Sequence, residues 1–186
     1  IGCLTSPSKL ESTFKSKLDS KVSYNTIATY VGYLEEAFLV EEAKRYNVKG
    51  RKYIGGQSKY YFEDMGLRNA RLGFRQVENT HIMENIIYNE LRVRGFSVDV
   101  GVVEVRSGKK EGVDRRQLEA DFVANLGSSR FYIQSAYSIP TSEKAEQEKA
   151  PLRNIGDNFK KMLLVGGSSP TYYDADGILT MGVLDF

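Results

Sequence analysis

Cysteine and histidine are almost absent from this 186-residue chain, in which Cys3 and His81 stand alone. A single cysteine cannot close an intramolecular disulfide, so nothing points to an oxidising compartment and a cytoplasmic protein is expected. The same scarcity excludes zinc-finger ligand sets, the HExxH helix and a Cys–His dyad. His81 opens an apolar helix and reads as structural, and any metal would be a hard cation held by carboxylates. No apolar run approaches the roughly 18 residues that would cross a membrane. The opening IGCLTSPSKL also lacks the basic-then-apolar order of a signal peptide. The pattern GxxxxGK followed by Ser or Thr is missing, so no nucleotide is bound through a P-loop here. GGSS at 166–169 lacks the lysine and reads as a turn. The chain starts at Ile1 and is expected to be the C-terminal portion of a larger protein.

The charge present is unevenly spread. Residues 1–60 hold ten Lys/Arg against six Asp/Glu, and the remainder sixteen against eighteen, giving a net charge of +2. A basic module beside a neutral one fits that distribution. SPSKLESTFKSKL reads as a helix capped by Ser6 or Ser8, with Pro7 in its first turn. VSYNTIATYVGYLEEAFLV is the clearest helix, with Ser23 as N-cap and Ile27, Tyr30, Val31, Leu34 and Phe38 at three- and four-residue steps. LVEEAKRYNV and SKYYFED read as two strands around the basic turn KGRKYIGGQS. Helix, helix and basic hairpin in that order suggest a winged-helix module over residues 1–63, with Lys44, Arg45, Lys49, Arg51 and Lys52 as its wing, which would either contact DNA phosphates or pack against another domain.

The pattern changes from residue 64. MGLRNARLGF is a short helix, and ENTHIMENIIYNELRVRGF is a longer one with Ile82, Ile86, Tyr88, Leu91 and Val93 mostly inward and Gly95 stopping it. Three strands follow: SVDVGVVEVR, then QLEADFVANL after the polar turn SGKKEGVDRR, then RFYIQSAYSI. TSEKAEQEKAPL is a charged helix ended by Pro151, KKMLLVG a buried strand and GILTMGVLDF a last one. Residues 64–186 therefore predict an α/β domain with a mixed sheet. The strand aromatics Tyr60, Tyr61, Phe62, Phe131, Tyr132 and Tyr137 read as core rather than as a base-stacking platform.

One constellation carries chemistry. Glu84 lies on a helix, and Glu119 and Asp121, two apart in a strand, project from one face. Gln134 and Ala136 share a face of the next strand, which the short turn at 127–129 brings alongside, so Asp121 and Gln134 are expected on one face. This arrangement resembles the restriction-endonuclease-like superfamily with the PD-(D/E)XK signature. There, carboxylates from a helix and two strands gather a divalent cation, and a lysine stabilises charge on attacking water and phosphate. Over almost its whole length, through YLEEAFLVEEAKRYNVKGRKYI, KYYFEDMGLRNA, ENIIYNEL, LEADFVA and FYIQSAYSI, the chain resembles the C-terminal region of a group of bacterial and archaeal AAA+ superfamily ATPases. In these a P-loop domain is followed by a winged helix and a nuclease-like domain of unknown function.

The resemblance implies an ATPase domain upstream of Ile1, which would bind ATP and act as a partner of this region. It also implies a nuclease site that is incomplete: Glu84 and Asp121 match, but Gln134 replaces the second-strand glutamate and Ala136 the lysine. Glu119 is a substitute acid, and Lys144 or Lys149 a substitute cation. The reading is of an accessory region that binds DNA or a partner protein without cutting, with no cofactor of its own and no membrane contact. Two alternatives stand beside it: an active Mg2+-dependent nuclease using Glu84, Glu119 and Asp121, and a protein-interaction module that regulates the ATPase.

Overall fold

The computed structural model of the protein describes residues 2–75, 77–109 and 112–186, without the side chains of 106–109 and 112–115. Lys110 and Glu111, in the expected polar turn, lie outside the described residues. Helix α1 (Pro7–Leu18) starts at Ser6, whose hydroxyl accepts from Lys9 N at 3.2 Å. Helix α2 (Tyr24–Glu36) starts at Ser23, whose hydroxyl accepts from Thr26 N at 3.3 Å. Strands β1 (Val40–Asn47) and β2 (Lys52–Phe62) then form an antiparallel hairpin. Helices α3 (Met65–Arg71) and α4 (Asn79–Val93) follow, and α4 ends ahead of Gly95, at φ 86°. Next come the meander β3 (Ser97–Lys109), β4 (Gly112–Leu126) and β5 (Ser129–Ala136), then α5 (Ser142–Arg153), β6 (Lys160–Val165), β7 (Tyr172–Tyr173) and β8 (Leu179–Gly182).

All eight strands join one mixed sheet in the order β2-β1-β3-β4-β5-β6-β8-β7. Arg45, Tyr46 and Asn47 of β1 pair in parallel with Val100, Gly101 and Val102 of β3. The hairpin read as a wing is thus the edge of the α/β sheet, and the sheet runs without a break across residue 63. Two layers cover its faces. Ile87, Tyr88 and Leu91 of α4 pack on Tyr61, Phe122 and Ile133 of the sheet. Leu152 of α5 packs on Val103, Val123, Tyr132 and Leu163, with Ala120 and Ala136. Burial of these side chains at about 25 cal/mol per Å2 of apolar surface is the main driving force for the arrangement.

The cluster memberships expose a feature that simple alternation hides. Phe122 and Ala124 face α4 while Val123 faces α5, yet Ala120 also faces α5. The register accounts for this: Asp99 pairs with Val123 but Gly101 with Ala120, so two β4 residues, Asp121 and Phe122, stand opposite Val100 alone. Asp121 therefore sits in a β-bulge, a device that re-aims a side chain. Gly101 fits beside it, because a Cβ there would meet Val123 at 3.0 Å and Ala120 at 3.1 Å.

Several expected faces are corrected by packing. In α4 the buried residues are Met83, Glu84, Asn85, Ile87, Tyr88 and Leu91, whereas Ile86 and Val93 point to solvent. Pro151 lies inside α5 rather than ending it. Of the apolar stripe on α2 only Ile27 is buried; Tyr30, Leu34 and Phe38 are exposed, because among the described residues α2 packs chiefly on α1 and β1. Phe38 is doubly unusual. Phe38 N bonds to Glu35 O and Leu39 N to Leu34 O, closing the end of α2 in the bonding pattern that favours glycine at this position. Yet a phenylalanine holds it, at φ 54° and 80% exposed. A left-handed conformation costs a residue with a Cβ about 1–2 kcal/mol. Glycine's extra freedom in the unfolded chain offsets about half of any relief. Phe38→Gly is therefore expected to stabilise the fold by roughly 0.5 kcal/mol, read as a higher urea midpoint at unchanged slope.

Candidate functional site: a lysine among three carboxylates

On the α4 face of the sheet, four side chains from three elements converge. Lys59 reaches in from β2, Glu84 from α4, and Glu119 and Asp121 from β4. The Lys59 ammonium lies 2.8 Å from Glu119, 2.9 Å from Glu84 and 3.4 Å from Asp121. The Lys59 side chain is 3% exposed, while Glu119, at 34%, forms the open side of the cluster. On β1 the residue paired with Lys59 is Ala43, fully buried, and its short side chain leaves the lysine stem a path across the strand.

Two of the three carboxylates have a further partner. Tyr61 Oη donates to Glu84 Oε1 at 2.7 Å. Ser135 donates to Asp121 Oδ2 twice, from its backbone N and its hydroxyl, each at 2.9 Å. Burial alone would push the Lys59 pKa down, but Asp121, Glu84 and Glu119 override it and hold the ammonium well above its ordinary value. Burial and the neighbouring Asp121 carboxylate push the Glu84 pKa up, only partly offset by Lys59 and Tyr61. Burial and Glu84 raise Tyr61 as well, keeping it a neutral donor. Three carboxylates around one ammonium leave an excess of negative charge, yet the ammonium fills their common centre. A divalent cation does not fit there unless Lys59 moves. Among the described residues no group of three or more His, Cys, Asp or Glu is disposed to hold a metal ion.

Glu84, Glu119 and Asp121 are thus brought together as the sequence suggested, but Gln134 is not part of their circle. The bulge turns the Asp121 carboxylate toward α4, where its β5 neighbour is Ser135. Gln134 alternates with Tyr132 and Ala136 toward α5; its Oε1 accepts from the Asp121 backbone N at 3.3 Å and its amide donates to Glu148 at 3.4 Å. The expectation that the two side chains share one face is corrected, and Ala136 is an apolar core residue on the α5 face, opposite the cluster. Neither suggested substitute cation reaches the cluster: Lys144 pairs with Glu148 at 2.5 Å and the buried Lys149 with Asp174 at 2.7 Å. Lys59 does, and the sequence reading passed over it because KYYF read only as a strand.

The five wing cations separate into two groups. Lys49, Arg51 and Lys52 are exposed at the hairpin tip, with no ion pair among the described residues. Lys44 is exposed beside Glu42 at 3.9 Å, and Arg45 turns back on the sheet to bond Gln117 at 3.1 Å. Lys59 pairs with Ala43 and Lys52 with Asn47, so tip and cluster are four residues of β1 apart, about 13 Å along the strand. His81 bonds Glu78 at 2.5 Å at the rim and is not a ligand of the cluster. No helix among the described residues is long and apolar enough to cross a membrane.

Comparison with known proteins gives no function directly. Residues 1–78 match a domain of unknown function, DUF8612. An uncharacterized protein of Haemophilus influenzae is 34% identical over 189 residues, covering all of this chain and 42% of the relative. The uncharacterized protein MJ1544 of Methanocaldococcus jannaschii is 28% identical over 141 residues, covering 76% of this chain and 29% of its own length. The chain spans less than half the length of these relatives.

Removing one partner from a buried ion cluster leaves uncompensated charge, which typically costs about 3–5 kcal/mol. Lys59→Met is expected to destabilise the fold by about that amount, and adding Glu84→Gln to it to recover part of the loss; denaturant unfolding of the cycle checks both. Because the Glu84 pKa is raised on folding, the folded chain holds more protons between the two values. Stability from this group therefore rises as pH falls through the raised folded value toward about 4.3, the usual glutamate value. Glu84→Gln should flatten that part of the thermal-melt profile.

Proposed function

We propose that this chain is the accessory C-terminal region of an AAA+-type ATPase, in which a winged-helix-like front and a nuclease-like α/β part bind DNA or a partner protein without cutting. The observation that carries this reading is the Lys59 ammonium, 2.8–3.4 Å from all three acids that would otherwise gather a cation. Hydrolysis of a phosphodiester by such a site needs carboxylate lone pairs for the metal and an opening for water. Here Lys59 occupies the position between the three acids, and Tyr61 and Ser135 take further lone pairs of Glu84 and Asp121. Expelling Lys59 to admit Mg2+ would leave an ammonium in an apolar layer without its counter-charges, a penalty the metal would have to overcome. ATP would enter the biology of the longer protein only through a separate nucleotide-binding domain.

A second reading has one observation in its favour. The lysine that a nuclease site needs, lacking at Ala136, is present in the cluster as Lys59, so the alternative of a Mg2+-dependent nuclease keeps a specific test. In the reading proposed, the wild-type chain shows no Mn2+ binding at micromolar metal in calorimetric titration and leaves supercoiled plasmid intact in Mg2+. Lys59→Met, which removes a like charge within about 4 Å of the metal position, should raise Mn2+ affinity by about tenfold or more. Plasmid nicking by the wild type that disappears in Asp121→Asn would replace this proposal with the nuclease reading. Restoring Glu at 134 and Lys at 136 is no test of either, because both positions face α5.

A further inference from the structure

At the far end of the hairpin from its basic tip lies a surface that the carboxylate cluster does not use. Phe38, 80% exposed, and Val93, 83% exposed, flank a shallow groove of about 430 Å3 floored by Val40. Glu35, Glu41 and Glu63 rim it, against one cation, Arg92, which is paired to Glu41 at 2.6 Å. The acids crowd one another: burial and then Glu41 raise the pKa of Glu63, and burial and then Glu42 raise that of Glu35. The groove is therefore apolar at its centre and acidic in surplus at its edge. It is built around a phenylalanine that neither its backbone conformation nor its exposure favours.

The complementary chemistry is on the same chain. The hairpin tip presents Lys49, Arg51 and Lys52, all exposed, with Tyr53, 61% exposed, behind them, its ring edge-on to Tyr46 and its hydroxyl donating to Asp99 at 3.2 Å. A cluster of exposed cations without an ion pair among the described residues is what an acid-rimmed groove would take. The tip cannot fold back on its own groove, because β1 holds the two apart. Val40 and Asn47 are its ends, seven residues or about 23 Å from each other. We propose that a second copy of this chain docks the basic tip of its hairpin, Lys49, Arg51 and Lys52, on the Phe38 groove, so that copies associate head to tail. Such a contact uses different surfaces on the two partners and extends to a ring or an open chain. It goes beyond the reading of the carboxylate cluster and holds whether or not that cluster is silent.

Sedimentation equilibrium of the whole chain tests this from micromolar to near-millimolar protein, at low and high salt. Association that strengthens with concentration and weakens with salt is expected. Phe38→Gly, whose fold should be no less stable, should weaken it by about tenfold or more, as loss of an aromatic anchor does. A charge exchange isolates the contact. A Glu35→Lys/Glu63→Lys chain and a Lys49→Glu/Arg51→Glu/Lys52→Glu chain should each stay monomeric, and their mixture should associate. A wild-type chain that is monomeric throughout, a Phe38→Gly chain that associates as wild type, or a mixture that stays monomeric would each overturn the proposal. So would a monomeric chain whose hairpin substitutions abolish salt-dependent binding of duplex DNA, which would make the tip a nucleic-acid surface.

Discussion

Burying an ammonium among three carboxylates is the constraint around which the rest of this protein is arranged. None of the four groups is tolerable alone in an apolar layer, since an isolated buried charge is far costlier than a buried methylene. Together they are, provided that each keeps its partners. Lys59 comes from β2, Glu84 from α4, and Glu119 and Asp121 from β4, so the cluster exists only when the hairpin, the helix and the meander are docked at once. That explains why the hairpin does not stand apart as an independent wing. β1 is paired to β3 and β2 lies outside it, and the lysine must reach over β1 to meet the acids.

Much of this was legible in the sequence, and the limits follow from physics rather than from chance. The caps at Ser6 and Ser23, the presence of helices α2 and α4, and the meander read correctly because local periodicity and capping chemistry set them. The acids Glu84, Glu119 and Asp121 were legible because a carboxylate inside an apolar strand or helix demands a partner. The partner itself was not. Lys59 is 25 residues from Glu84 and 62 from Asp121 along the chain, and no local pattern records so distant a contact. The faces of α2 were misjudged for a related reason: periodicity tells which residues share a stripe, not whether another element covers it.

The bulge at Asp121 was the least legible feature and the most consequential. LEADFVA alternates as an ordinary strand, and strict alternation would set Asp121 beside Gln134. One extra residue opposite Val100 moves Asp121 to the α4 face, leaves Ala120 and Val123 on the α5 face, and gives Asp121 two donors from Ser135. The backbone N–H released from regular pairing is then met by the Gln134 side chain. Gln134 is in this sense a repair of the bulge, tied onward to Glu148 and Lys144, rather than a weakened metal ligand.

The cluster also bears on register. The hairpin is weakly specified by its own sequence: Lys44 pairs with Ser58 but Arg45 with Ile54, so Gly55, Gly56 and Gln57 bulge out between them. Glycines there leave few side chains to choose one pairing over its neighbours. A slip of β2 by one residue would reverse every side chain between the two faces. Tyr61 would leave its stack on Tyr88, now at 4.2 Å between ring centres, and Lys59 would leave three carboxylates facing one another. Apolar replacement of a buried ion cluster often matches it in stability, so stability alone is a poor reason to keep one. Here the charges penalise the wrong pairings far more than they reward the right one. That asymmetry lets a glycine-bearing edge strand hold a single register over its neighbour.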